Sequence, residues 1–220
     1  MLFDLDGTLV DSVYQHVGAW HDALRSAGLS LSFWRIHRKI GMSGGLFVRG
    51  LMRELGREVD AATLADLRRR HAAAYAERFH EVVPLPGTGE LLAGLTALGA
   101  PWAIATSGMR AVAHRTLALL EIPAHVPIVT RDDVAHAKPD PDLFIAAAEK
   151  LGVPIVHSIV VGDSVWDLLA ARRAGALGVG LLSGGYGGDE LQSAGAYRVY
   201  ADPADLLAHL DEVGIRDPDA

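Results

Sequence analysis

Apolar residues follow two rhythms along this chain, and the change between them divides it. Between 13 and 83 they recur at helical spacing, as in Leu64, Leu67, His71, Ala74, Tyr75 and Phe79, or Leu51, Met52 and Leu55. Nothing in that stretch alternates like a strand. Pro84, Pro86 and Gly87 then stop the pattern. Beyond them, helices and short apolar strands take turns: helix 90–98 with strand 102–105, helix 110–120 with strand 127–129, helix 141–151 with strand 158–161, and helix 166–174 with strand 178–182. Strands separated by helices of that length predict a parallel sheet covered on both faces. The opening apolar run, 2–5, joins the same sheet. The predicted organisation is therefore an α/β core from 1–12 and 84–220, with a helical domain, 13–83, inserted after the first strand.

Composition narrows the class. A chain of 220 residues, half of them apolar and 21% charged, can bury one ordinary domain and a smaller second one. No apolar run is long enough to cross a bilayer, and no leader pattern precedes the first strand. The absence of cysteine excludes disulfides, thiolate nucleophiles and cysteine-ligated zinc, and suits a cytoplasmic protein. A net charge of -7 argues against general nucleic-acid binding. That total hides an asymmetry: 12–83 holds 11 Lys and Arg against 7 Asp and Glu, which leaves -11 on the remainder. A basic segment beside an acidic body can attract an anion, although arginines on solvated helix faces read the same way.

Candidate chemistry lies at the predicted strand ends, where open parallel sheets bind ligands. The first strand delivers Asp4 and Asp6 and then breaks at Gly7. Two carboxylates two positions apart on a strand share a face, and like charges that close call for a hard divalent cation such as magnesium, with a phosphate ester as its natural companion. An acidic turn is the plainer alternative. Strand 102–105 ends in Thr106-Ser107-Gly108 before a helix, which reads as a phosphate cradle or as a simple N-cap by Ser107.

In Lys138-Pro139-Asp140-Pro141-Asp142 the prolines stiffen a loop that displays the lysine, with Asp140 as helix cap. Lysine is scarce here, 3 of 20 basic residues, so a compact charge is favoured at Lys138, though a surface turn would look alike. Strand 158–161 ends in Gly162-Asp163-Ser164, which makes Asp163 a candidate metal ligand or a turn residue. Asp167 has the spacing of a capping box with Ser164 and also suits support of a metal.

Taken in order, Asp4-Leu5-Asp6-Gly7-Thr8, Thr106-Ser107, Lys138-Pro139 and Gly162-Asp163-Ser164-Val165-Trp166-Asp167 resemble the four motifs of the haloacid dehalogenase superfamily. The insertion resembles the helical cap of its phosphoglycolate phosphatase and beta-phosphoglucomutase branch. The resemblance implies a Rossmann-like core and hydrolysis of a small phosphorylated metabolite, by a protein that is monomeric or homodimeric. It implies Asp4 as nucleophile and Asp6 as general acid, then general base. It further implies magnesium on the Asp4 carboxylate, the Asp6 backbone carbonyl and Asp163, with Thr106, the Ser107 amide and Lys138 on the phosphoryl oxygens. Only three residues precede Asp4, fewer than is usual in the superfamily, so a shortened first strand is expected.

Rival readings fall inside and outside the superfamily. Dehalogenases of this type lack an acid where Asp6 stands, because halide leaves without a proton. A sugar phosphomutase would carry the same motifs. Phosphonate hydrolysis would need an imine-forming lysine in the cap, where Lys39 is the one available. Arg38 and Lys39 ahead of Gly41 suggest a substrate-selecting loop, or merely a turn between helices. A phospho-signalling receiver, the non-enzymatic alternative, places its aspartate in mid-chain and has no such insertion.

Overall fold

The computed structural model describes residues 1–56 and 58–216. In chain order its elements are β1 (Leu2–Phe3), β2 (Val10–Asp11), α1 (Val13–Ser26), α2 (Phe33–His37), α3 (Gly44–Glu54), α4 (Ala61–Arg78) and β3 (Val83–Pro84). There follow α5 (Thr88–Ala97), β4 (Ala103–Ala105), α6 (Arg110–Leu117), β5 (Ile128–Val129), α7 (Asp142–Leu151), β6 (Ile159–Gly162), α8 (Val165–Ala174) and β7 (Leu177–Leu181). Next come α9 (Gly188–Ala194), β8 (Ala196–Tyr200) and α10 (Pro203–Ala208), followed by a short 3-10 helix over Leu210–Val213. It divides into two compact units: Met1–Asp11 with the chain from Val83 onward, and Ser12–Val82. No helix among the described residues is long and apolar enough to cross a membrane.

The larger unit is built on a six-stranded sheet, ordered β5-β4-β1-β6-β7-β8, in which every pairing is parallel. Short as it is, β1 is central: Leu2 pairs with Ala103 and Val160, and Phe3 with Ile104 and Val161. Successive side chains leave opposite faces, and a sheet covered on both sides needs both sets apolar. Leu2, Ala103, Ala105, Val129 and Val160 share a buried cluster with Leu143, Phe144 and Ala147 of α7 and Ala170 and Ala171 of α8. Phe3, Ile104 and Val161, on the other face, are equally inaccessible.

Three features depart from the sequence reading. Val10 and Asp11 pair antiparallel with Pro84 and Val83, so a small ribbon forms where only a proline stop was expected. The first strand ends at Phe3 rather than at residue 5. The sheet also gains β8, followed by α10, from a C-terminal stretch that carries no clear periodicity.

The smaller unit is helical. Val17, Trp20 and Leu24 of α1 pack with Phe47, Val48 and Leu51 of α3 and Leu67 of α4, with the Trp20 and Phe47 rings 4.4 Å apart. Asp60 caps α4 by accepting a 2.7 Å hydrogen bond from the Thr63 amide.

Candidate active site

The strand order brings the carboxyl ends of β4, β1 and β6 side by side, and the site grows there. Asp4 follows β1 directly, and its amide donates to the Val161 carbonyl of β6 at 2.9 Å, which extends the pairing by one residue. The chain then coils on a single acceptor: the Leu5 carbonyl receives the amides of Thr8, Leu9 and Val10 at 3.3, 2.9 and 3.1 Å. Gly7, at φ 85°, supplies the left-handed step this turn requires. Asp4 is therefore driven inward, while Asp6 is half-buried at a bridge to Val10.

Asp163 enters from the end of β6 and Asp167 from the first turn of α8. Gly162 permits their approach, because a Cβ there would lie 2.3 Å from Asp167 Cβ. Asp167 Oδ2 accepts the Ser164 amide at 3.1 Å and the Ser164 hydroxyl at 2.5 Å, which forms the capping box of α8. Its other oxygen, Oδ1, lies 2.7 Å from Lys138 Nζ and forms an ion pair with it. Lys138 also donates to Asp4 Oδ1 and lies 5.4 Å from the centre of the Phe144 ring.

Rather than being displayed, Lys138 is wholly buried. Its loop is held by Arg173, which donates to the Pro139 carbonyl at 2.8 Å, and the Lys138-Pro139 peptide is cis. Asp140 does not cap the following helix: Pro141 occupies that position, and Asp142 instead accepts the His136 amide.

Thr106 follows β4 directly and is buried, with its hydroxyl accepting the Gly108 amide at 2.9 Å. Ser107 is not the cap of α6, a position that Met109 takes, so Ser107 and Gly108 form a turn ahead of the helix. The Ser107 hydroxyl is buried and has no hydrogen-bond partner.

Ligand oxygens of Asp4, Asp163 and Asp167 all lie within 4.8 Å of one another, each residue no more than 3% exposed. The Asp6 carboxylate is outside this group. Burial, reinforced by the Asp167 and Asp6 carboxylates, outweighs Lys138 and pushes the Asp4 carboxyl up to about 7. Asp163 is raised well above the carboxylate range by burial, then by Asp167 and Asp4. Burial would lower Lys138, but Asp167 and Asp4 more than offset it, so the ammonium is held charged. Three buried carboxylates facing one ammonium leave negative charge that a hard cation with oxygen ligands would neutralise, so the donor set fits magnesium.

Three participants escaped the sequence reading. Thr8 donates to Asp163 Oδ1 at 3.0 Å, Ser183 Oγ donates to the Gly7 carbonyl at 2.6 Å, and Gly184 lies against Asp163. Thr8 stands within the first acidic motif, and Ser183-Gly184 follow a predicted strand end, so position was the available signal.

The helical unit holds the remaining predicted residues. Lys39 Nζ is 2.6 Å from Glu54 Oε1, and Gly41 adopts φ 94°. Trp34, Arg35, Arg38, Lys39 and Glu54 line a surface pocket of about 350 Å³. A lysine paired in this way is a poor imine former, which weakens the phosphonate reading.

Comparison with known proteins places the chain in a family. The profile of haloacid dehalogenase-like hydrolases matches residues 1–175. Hexitol phosphatase A of Escherichia coli (strain K12) is 34% identical over 79% of this chain and 78% of its own length. A phosphoglycolate phosphatase of Caulobacter vibrioides is 32% identical over 88% of this chain and 83% of its own. The crystal structure of a hydrolase from Pseudomonas syringae superimposes with a TM-score of 0.94 at 54% identity, covering 96% of this chain and 97% of that one. The chain belongs to the haloacid dehalogenase-like hydrolases.

Proposed function

We propose that this enzyme is a magnesium-dependent phosphatase that hydrolyses a small phosphorylated metabolite, of the phosphoglycolate or sugar phosphate type, through an aspartyl phosphate. The observation that carries the reading is the buried trio Asp4, Asp163 and Asp167 met by the single ammonium of Lys138. The unpartnered hydroxyl of Ser107 beside buried Thr106 supports an oxygen-rich anion as ligand. Relatives named for phosphoglycolate and hexitol phosphates support the substrate class.

In this reading an Asp4 carboxylate oxygen attacks phosphorus, the bond to the alcohol oxygen breaks, and Asp6 gives that oxygen its proton. Asp6 then takes a proton from water, whose oxygen attacks the phosphorus, releasing phosphate and restoring Asp4. Lys138, Thr106 and the Ser107 amide stabilise charge on the phosphoryl oxygens, and Lys138 keeps one Asp4 oxygen fixed. The carboxylates of Asp4 and Asp163 with the Asp6 carbonyl would hold magnesium, supported by Asp167; bound there, it would offset repulsion between nucleophile and phosphate. Substrate selection is assigned to Arg38, Lys39 and Gly41, consistent with the basic balance of that segment. A cytoplasmic location accords with the cysteine-free composition.

The test is a phosphate-release screen over phosphoglycolate, hexitol and sugar phosphates and nucleotides, with magnesium and with chelator. Turnover should require magnesium, and Asp4→Asn should lower it by at least about a thousandfold. Unchanged release by that variant would remove Asp4 from the nucleophile's role.

A further inference from the structure

The Asp163 carboxylate is gripped from two sides by residues outside the segment that carries it. Thr8 Oγ1 donates to Oδ1 at 3.0 Å, and Oδ2 lies so close to Gly184 that a Cβ built there would be 1.8 Å away. Ser183, next to that glycine, donates from its hydroxyl to the Gly7 carbonyl at 2.6 Å, and Gly7 adjoins Thr8. These contacts close a ring: the turn after β1 touches Asp163, Asp163 touches the turn after β7, and that turn is tied back to the first. The three strands involved, β1, β6 and β7, are neighbours in the sheet. A side chain confined on both oxygens has little freedom to reorient, and the Ser183 hydroxyl links the two outer turns.

We propose that the Ser183-Gly184 turn is a positioning element that, with Thr8, sets the Asp163 carboxylate for metal binding. The proposal rests on the reading of Asp163 as a magnesium ligand, and it assigns to Ser183 and Gly184 the orientation of that ligand and no contact with substrate. Groups that orient a ligand from outside the coordination sphere typically contribute about 10-fold to 100-fold in metal affinity. Ser183→Ala, which removes one hydroxyl and adds no bulk, should therefore weaken magnesium binding by about 10-fold. Gly184→Ala should weaken it further, since a methyl group there displaces the carboxylate itself. Thr8→Ser should retain affinity because it keeps the donor, whereas Thr8→Val should lose it.

Magnesium titrations by calorimetry on the full-length chain, with thermal melting of each metal-free variant alongside, supply a readout that does not depend on turnover. The expected result is a raised magnesium Kd for Ser183→Ala at an unchanged metal-free Tm, with the magnesium concentration for half-maximal phosphate release rising by the same factor. If Gly184→Ala fails to fold, Ser183→Ala and the Thr8 pair decide. Asp163→Asn separates the two levels of argument. Should it lose magnesium binding while Ser183→Ala, Thr8→Val and any folded Gly184→Ala bind like the parent, the positioning proposal is wrong and the metal reading stands. If Asp163→Asn itself binds magnesium normally, both fall.

Discussion

Lys138 bears the tightest electrostatic constraint among the described residues of the site. Its ammonium is fully buried between Asp4 and Asp167 with an aromatic ring nearby, and it is what offsets their charge. Removing one partner of such a group leaves uncompensated charge in a poorly solvated place, which typically destabilises by about 3–5 kcal/mol. Lys138→Met should lose stability of that order in urea at pH 7.5 without metal. The loss should shrink at pH 5.5, where Asp4, with its carboxyl raised to about 7, takes up a proton. An unchanged urea midpoint at pH 7.5 would contradict the role given to the lysine. The residue type drew notice in the sequence through its scarcity, but its burial did not, because Lys-Pro-Asp-Pro-Asp has the composition of a surface turn. What buries it are carboxylates delivered by β1 and α8, 134 residues away in one case.

Elements in the core are short, and they hold because each is fitted to its neighbour. Gly87 caps α5 at φ 75°, and a Cβ there would meet Ala204 Cα of α10 at 2.5 Å. Gly87→Ala should therefore destabilise by about 1–3 kcal/mol through backbone strain and overpacking. A Tm equal to that of the parent protein would show that α10 moves aside without penalty. The long amphipathic helices and the apolar strands of the core were legible from periodicity alone. The C-terminal elements were not, for a physical reason: α9 and α10 span seven and six residues, too few to display a period, and β8 is an edge strand with Tyr197 and Arg198 exposed. Caps misled at Ser107 and Asp140 because both residue types favour turns as well as caps, and where the chain must turn is set by its neighbours.

At the scale of the whole molecule, the buried acids couple stability to pH and to metal. In the folded protein Asp4 holds its proton to about pH 7, and Asp163 is also raised, whereas the unfolded chain releases both near 3.8. Between those values the folded state carries more protons, so metal-free stability should fall as pH rises through this window. The upward shift of Lys138 acts only at alkaline pH and the lowered carboxyls of Asp22 and Asp133 only below 3.8, whereas the buried Met1 amine, lowered to about 6, opposes the fall between about 6 and 8. Because magnesium binds ionised carboxylates, its stabilising effect should grow over the same window. Melting curves at pH 5, 6.5 and 8, with magnesium and with chelator, should show the largest metal-induced rise in Tm at pH 8. A chelated protein that becomes steadily more stable from pH 5 to 8 would refute the assignment of Asp4 and Asp163 as the dominant buried acids.

What the sequence determined by itself is what local chemistry dictates: where the longer helices lie, that short apolar strands separated by helices form a parallel sheet, which acids and hydroxyls stand at strand ends, and that a lysine sits in a proline-stiffened loop. Strand-end position is readable because Gly, Asp and Ser cluster where apolar runs stop. Tertiary structure decided the rest. Strand order put β4, β1 and β6 side by side, burial turned a loop lysine into the counter-charge of two carboxylates, and packing set Thr8 and Gly184 against Asp163. Those outcomes depend on contacts between residues far apart in the chain, 134 positions for Lys138 with Asp4 and 155 for Thr8 with Asp163. No local pattern encodes them, because desolvation and close approach exist only once the sheet has formed.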